Sequence, residues 1–272
     1  MSDLTNTGTA VVTGASSGIG RMYADRLAGR GFDLLLVARR RERLEALAAE
    51  LRERDGVTVK VFVADLSDAD DLERVASDIA GDDSITMLVN NAGTTRVKPL
   101  EEVTVDELRM QVDLNVTALS RLTMAALPGF KRRDRGTIIN IGSAVSFHGF
   151  ANNGIYSGSK AYVLNFTESL REELADTNIV VQLVAPAMTE SEIAEVSGYD
   201  VSGLPDGVVM SVEHCVDAAL AGLDAGEAIT MPSVEDAALL ANFQAAADAL
   251  FHGSFSGKPA SRYGLADKPA AT

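Results

Sequence analysis

Tryptophan is absent from the 272 residues, and cysteine (1), histidine (3) and proline (7) are scarce. The lone Cys215 excludes an intrachain disulfide and offers no thiolate cluster for zinc, so no metal is expected and the cysteine usage fits a reducing, cytoplasmic setting. No apolar run approaches the ~18 residues that span a bilayer. The longest, such as Leu34 to Ala38, have the length of a strand. Met1 to Ala10 is polar, with one acid and neither a basic nor an apolar stretch, and it does not read as a signal peptide. Basic residues are outnumbered, 24 Lys plus Arg against 39 Asp plus Glu, for a net charge of −15. That balance argues against partners gripped by neutralising a phosphate backbone, so neither nucleic acid nor an anionic membrane is expected.

What is present is a globular composition, 46% hydrophobic and 23% charged, enough to bury a sizeable core. Short β-branched or Leu-rich runs alternate with longer amphipathic segments, which predicts an α/β fold: a seven-stranded parallel sheet, doubly wound in the Rossmann manner, with helices on both faces. Strands are expected at 9–13, 33–38, 58–64, 87–90, 137–141, 180–185 and 228–231. Helices are expected near 18–29, 41–54, 68–80, 104–130, 155–175, 212–225 and 234–250. Most strand runs are continuously apolar, as strands buried on both faces are. Neither a linker nor an internal repeat divides the chain, so a single domain over 1–272 is expected. Two stretches break the rhythm. The connection 187–210 is over-long and reads as a substrate lid. The Gly/Pro/Ser/Ala-rich tail 252–272 is either unstructured or laid across a partner subunit.

Directly after the first strand run comes Thr13-Gly14-Ala15-Ser16-Ser17-Gly18-Ile19-Gly20, leading into a helical pattern. Glycines there allow close approach of backbone N–H groups to a ligand, and a helix N-terminus suits a diphosphate. The G-x3-G-x-G spacing is one residue longer than the common dinucleotide fingerprint. A plain strand-to-helix turn is the bland reading. A rival sits inside the same stretch, because Gly14-Ala15-Ser16-Ser17-Gly18 satisfies the G-x-S-x-G nucleophile elbow of serine hydrolases. Almost nothing precedes the first strand to supply the second oxyanion donor which that reading requires.

At the end of the second strand stand Arg39, Arg40 and Arg41, at a predicted helix N-terminus where cations oppose the helix dipole. An incoming 2′-phosphate explains them, since Arg binds phosphate bidentately, and favours NADP(H), with NAD(H) the alternative. A solvated face pairing with Glu42, Glu45 and Glu50 is the competing reading. Further on, Tyr156-Ser157-Gly158-Ser159-Lys160 falls on a helix. Residues four apart share a face, and an ammonium near a phenol favours the phenolate, making the tyrosine a usable proton donor and acceptor.

From about Thr9 to Val212 the chain resembles the short-chain dehydrogenase/reductase family, NADP-preferring type. Thr13 to Gly20 matches the family's TGxxxGxG turn, Asp65-Leu66 its adenine-contacting acid, and Asn90-Asn91-Ala92-Gly93 its NNAG segment, while Asn115, Ser143, Tyr156 and Lys160 fall where the catalytic tetrad stands. The resemblance implies a hydride-transferring oxidoreductase of carbonyls and alcohols. Tyr156 would be the acid and base, and Ser143 the hydrogen-bond donor to the substrate oxygen. Lys160 would lower the phenol pKa and hold the nicotinamide ribose, and Asn115 would anchor a water leading to solvent. Cofactor contacts would come from Gly14, Ser16, Ser17, Gly18, Ile19, Gly20, Arg39, Arg40, Asp65, Leu66, Asn91, Ala92, Gly93, Tyr156 and Lys160. The family's Pro-Gly after the sixth strand is here Pro186-Ala187-Met188, which leaves the remaining cofactor contacts with Pro186, Thr189 or Ser191. Gly158, where the family often has Ala, costs helix propensity unless close packing requires it.

The substrate is expected outside the carboxyl ends of the strands. Its walls would be Ser143, Val145, Phe147, His148, Phe150, Tyr156, Met188, Ile193 and Tyr199, with the tail. They are mostly apolar, and Arg171 is the sole basic residue between Lys160 and Lys258, so an apolar small-molecule ketone, aldehyde or secondary alcohol is favoured. His214 and Cys215 read as surface and packing residues. The resemblance also implies a homodimer or homotetramer. A nucleotide-binding protein without turnover and the serine hydrolase are the alternatives.

Overall fold

The computed structural model describes residues 8–190, 192, 204–205 and 207–265. The chain forms two compact units, one ending at Ser233 and the other beginning at Val234. In the first, seven strands form one parallel sheet in the order β3-β2-β1-β4-β5-β6-β7. They are β1 (Thr9–Thr13), β2 (Asp33–Ala38), β3 (Val59–Val63), β4 (Ile85–Asn90), β5 (Gly136–Ile141), β6 (Ile179–Val184) and β7 (Ile229–Thr230). The helices between them are α1 (Gly18–Gly29), α2 (Arg41–Asp55), α3 (Ala69–Gly81), α4 (Val105–Val112), α5 (Leu119–Arg133), α6 (Gly154–Glu173) and α7 (Val212–Asp224).

The continuous apolar strand runs divide by pleat between two cores, as alternate residues must. Ala10, Val12, Leu34 and Leu36 pack with Tyr23, Leu27, Leu44, Leu51 and Val216 beneath α1, α2 and α7. Val11, Leu35, Val37, Leu88 and Ile138 pack with Val75, Ile79, Leu122 and Phe130 beneath α3 and α5. Burying both faces makes apolar area the main stabilising term, at roughly 25 cal/mol per Å².

The expected helix 104–130 is two helices. A capping box of Thr104 and Glu107 starts α4. A π turn at Asp113–Ala118 then interrupts the ladder before α5, which tolerates Pro128 and runs on to Arg133. In the second unit, α8 (Ala238–Gly253) begins where Asp236 accepts from the Ala238 N–H at 2.9 Å, four residues later than expected, and ends three residues later than expected, two residues into the stretch read as tail. A short 3-10 turn at Ser261–Tyr263 follows.

Polar side chains buried between sheet and helices fix the seat of α6. Asn90 donates to Asn140 Oδ1 and Thr123 Oγ1, and Asn140 donates to Thr167 Oγ1, at 2.9–3.0 Å. On the outer side of α6, a Cβ added at Gly158 meets nothing within 4 Å, so no close packing requires the glycine. Gly158→Ala is therefore expected to raise stability by roughly 0.5–1 kcal/mol. Urea denaturation of the two proteins measures this, and a loss of stability would show the helix face to be covered.

Candidate active site

The strand order reverses at β1, whose neighbours are β2 on one side and β4 on the other. Connections leaving the ends of β1 and β4 therefore part company and leave a crevice at the carboxyl edge of the sheet. Gly14 lines it at φ 67°, and a Cβ there would stand 2.7 Å from Asn91 Nδ2. A Cβ at Gly20 would stand 2.5 Å from the Gly14 carbonyl. The turn is thus pressed against the Asn91-Ala92-Gly93 segment. Thr13 joins the two, its hydroxyl accepting from the N–H groups of Asn91 (2.9 Å) and Ala92 (3.0 Å). Ser16, Ser17, Gly18 and Ile19 are partly exposed at the start of α1. Ser17 is the N-cap residue, yet no side chain caps the helix, so its first N–H groups face the crevice side of the turn.

The Ser17 hydroxyl is engaged elsewhere. Arg40 donates to it at 2.7 Å and to Ser16 Oγ from two nitrogens at 2.8 and 3.0 Å. Its remaining nitrogen donates to Glu192 at 2.6 Å, and Arg43 donates to the other oxygen of the same carboxylate. Those bonds hold the Glu192 carboxyl down at about 2. The expected phosphate pair, Arg39 and Arg40, is not what converges. Arg39 is exposed and turns to Asp65 at 3.5 Å, while Arg43, one helical turn beyond Arg40, meets Arg40 at the Glu192 carboxylate. Asp65 itself accepts from the N–H and hydroxyl of Ser67, and the Leu66 side chain lies buried in the core under α3.

Across the crevice, β5 ends at Ile141 and delivers Ser143, while the first turns of α6 carry Tyr156 and Lys160 one above the other. Ser143 Oγ makes only long bonds to the backbone, 3.4 Å to the Pro186 carbonyl and 3.4 Å from the Val145 N–H. Lys160 is 4% exposed. Its ammonium donates to the Ile141 carbonyl at 2.7 Å and lies 5.7 Å from the centre of the Tyr156 ring. Burial pushes Lys160 down to about 8. Burial also pushes the Tyr156 phenol up, with the Ser143 hydroxyl a smaller pull downward. The expected lowering of the phenol by Lys160 is not seen here, where burial of the phenol itself is the largest influence and raises it.

Asn115 sits in the π turn, 1% exposed. Its carbonyl oxygen accepts from the Thr94 N–H (2.8 Å), and its amide donates to the Thr94 carbonyl (2.9 Å) and to Ser159 Oγ (3.0 Å). It ties the loop after β4 to the helix that carries Tyr156 and Lys160. Thr94 and Ser159, like Arg43 and Glu192, escaped the sequence reading. Only the i, i+3 spacing of Arg40 and Arg43 left a trace of them.

The walls are less gathered. Val145, Phe147 and Met188 are half-buried, whereas His148 and Phe150 are exposed. Pro186 is buried with its carbonyl held by the Ala144 N–H at 2.8 Å. The Thr189 hydroxyl hydrogen-bonds Cys215. Its backbone pairs with Met210, closing the two ends of the intervening connection on each other. Ser191, Ile193 and Tyr199, and most of the expected lid, lie outside the described residues.

The family model for short chain dehydrogenases matches residues 8–200. A very-long-chain 3-oxoacyl-CoA reductase from Anas platyrhynchos is 36% identical over 193 residues, 69% of this chain and 62% of its own. An uncharacterized oxidoreductase from Myxococcus xanthus (strain DK1622) is 34% identical over 81% of this chain and 85% of its own. The chain thus spans about six-tenths of the reductase but most of the bacterial relative. Among solved structures, a short-chain dehydrogenase from Sphingobium yanoikuyae in complex with NADPH superposes with a TM-score of 0.91 at 42% identity, covering 94% of this chain and 99% of that one. A bulky-bulky ketone specific alcohol dehydrogenase from Comamonas testosteroni superposes with a TM-score of 0.87 at 38% identity, covering 95% and 99%. With its sheet order, glycine turn and Ser143, Tyr156 and Lys160 on one crevice, the chain belongs to the short-chain dehydrogenase family.

Proposed function

We propose that this protein is an NADP(H)-dependent oxidoreductase interconverting an apolar ketone or aldehyde and its alcohol, with NAD(H) as the second coenzyme. The observation that carries the reading is the meeting of Ser143, Tyr156 and Lys160 across one crevice from the Gly14–Gly20 turn. The turn suits a dinucleotide: Gly14 and Gly20 let it close tightly against the Asn91 segment, where a Cβ would clash, and the first N–H groups of α1 carry no side-chain cap. The turn would hold the diphosphate, Arg40 and Arg43 a 2′-phosphate, and Lys160 the ribose hydroxyls beside the nicotinamide, which when bound supplies or accepts the hydride.

The chain's own residues handle the proton. Burial keeps the Tyr156 phenol protonated, the form that gives its proton to a carbonyl oxygen. Ser143, held only by long bonds to the backbone, is free to turn its O–H toward the same oxygen and stabilise its growing charge. Lys160 keeps a positive charge under the phenol below about pH 8, and Asn115 positions the helix that bears both. An apolar substrate is favoured by Val145, Phe147 and Met188 and by the scarcity of cations after Lys160. The named substrates of the relatives, 3-oxoacyl-CoA and bulky ketones, favour a ketone over an aldehyde. The hydrolase reading loses support because Ser16 Oγ accepts from Arg40, a cation that cannot take its proton.

Tyr156→Phe is expected to abolish oxidation of NADPH by a panel of hydrophobic ketones, followed at 340 nm, while leaving coenzyme binding within about threefold, a margin set by loss of one hydroxyl. Unchanged turnover would overturn the reading. The same panel run with NADH should be slower at equal coenzyme concentration.

Lys160 generates a pH prediction. The folded chain sheds this proton near 8, whereas the unfolded chain keeps it to about the ordinary 10.5, so the burial penalty is fully felt below 8 and is relieved as pH rises through that window. Thermal melts should show the wild type gaining on Lys160→Met between those two values, and a constant difference would exclude the assignment. Subunit association is proposed through the exposed Leu108, Val112, Met124 and Tyr162 of α4 to α6. Light scattering at micromolar concentration should give at least twice the 28.7 kDa chain mass.

A further inference from the structure

Arg40 and Arg43 point at one place from adjacent turns of the chain, and Ser16 and Ser17 face Arg40 from the glycine turn. Two guanidinium groups and two hydroxyls form a donor set suited to a phosphate monoester. A carboxylate already fills it. Glu192, from the connection after β6, places one oxygen on Arg40 at 2.6 Å and the other on Arg43. With Ser16 and Ser17 taking its other nitrogens, Arg40 has every N–H-bearing nitrogen engaged. Each ion-pair member is still 39–51% exposed, so the contact can be exchanged for another anion rather than being locked in the core.

We infer that Glu192 is a specificity-determining residue for the coenzyme's ribose 2′ position: its carboxylate competes with a 2′-phosphate for Arg40 and Arg43. A 2′-hydroxyl imposes no such displacement, and a carboxylate beside the ribose is the acceptor that NAD-binding folds use for that hydroxyl. Glu192 thus narrows the preference for NADP(H) that the arginines create and leaves the site open to both coenzymes. The inference rests on the dinucleotide reading given above and adds to it a residue outside the glycine turn and outside the end of β2.

Fluorescence titration of the full chain with NADPH and with NADH, for wild type and Glu192→Gln, tests it without turnover. Removing the competing charge should tighten NADPH roughly three- to tenfold, the scale of one partly exposed, charge-assisted pair, and should not tighten NADH. The NADPH gain should shrink as salt rises from 50 to 500 mM, because screening weakens the competition it relieves. Unchanged or weaker NADPH binding in the variant, with a wild type that binds, would overturn the role of Glu192 alone. Equal tightening of both coenzymes would also overturn it, since that marks a fastening of the connection rather than a reader of the 2′ group. A wild type that binds neither coenzyme would instead bring down the dinucleotide reading, and this inference with it.

Discussion

Strand β1 runs between β2 and β4, and the chain leaves the ends of β1 and β4 in opposite directions along the sheet. A parallel sheet must have both faces covered, so the crossovers fill one side and then the other, and the place where they diverge opens a crevice at the carboxyl edge of the sheet. The residues of the candidate site come together at that edge. The glycine turn enters from β1, the Asn91 segment from β4, Ser143 from β5, and Tyr156 and Lys160 from α6. The Thr13 hydroxyl, bonded to the N–H groups of Asn91 and Ala92, sets the spacing of the first two.

Polar groups sunk around this edge are satisfied in ways that double as alignment. Asn115 accepts and donates three hydrogen bonds and in doing so couples the π turn, the loop after β4 and α6. An unpaired amide at that depth would cost on the order of 1–3 kcal/mol, so the π turn is better seen as the way the backbone aims the side chain than as a defect. Lys160 is handled similarly. Its charge is taken out of water, loses some of its proton affinity, and is held by the Ile141 carbonyl directly under the tyrosine ring. The Asn90, Asn140 and Thr167 chain then anchors α6 to the strands through a second row of bonds.

The electrostatics run against the molecule's own average. A chain of net charge −15 repels an anionic coenzyme at long range, so attraction has to be local and close. In the proposed reading Arg40 and Arg43 would provide it, and Glu192 would temper it. Of the three arginines at the start of α2, Arg39 is drawn to Asp65 and Arg41 to Glu45, which leaves Arg40 as the one turned to the glycine turn.

Much of this was readable along the chain. Continuous apolar runs of five or six residues named the strands, because a buried parallel strand has no polar face to alternate, and β1 and β2 were located to the residue. The glycine spacing and the Tyr-x3-Lys pair pointed to the turn and the helix that meet at the crevice, because both are patterns of neighbours a few residues apart. The break in helix 104–130 was not readable: a π turn carries no propensity signal and exists because Asn115 finds its partners in Thr94 and Ser159. Nor was the place of Arg43 and Glu192, which lie 149 residues apart and meet only when α2 and the connection after β6 fold to the same edge. The phenol's direction of shift was also decided in three dimensions, since a nearby ammonium argues one way from sequence and the depth of burial, visible only in the packed molecule, argues the other and prevails.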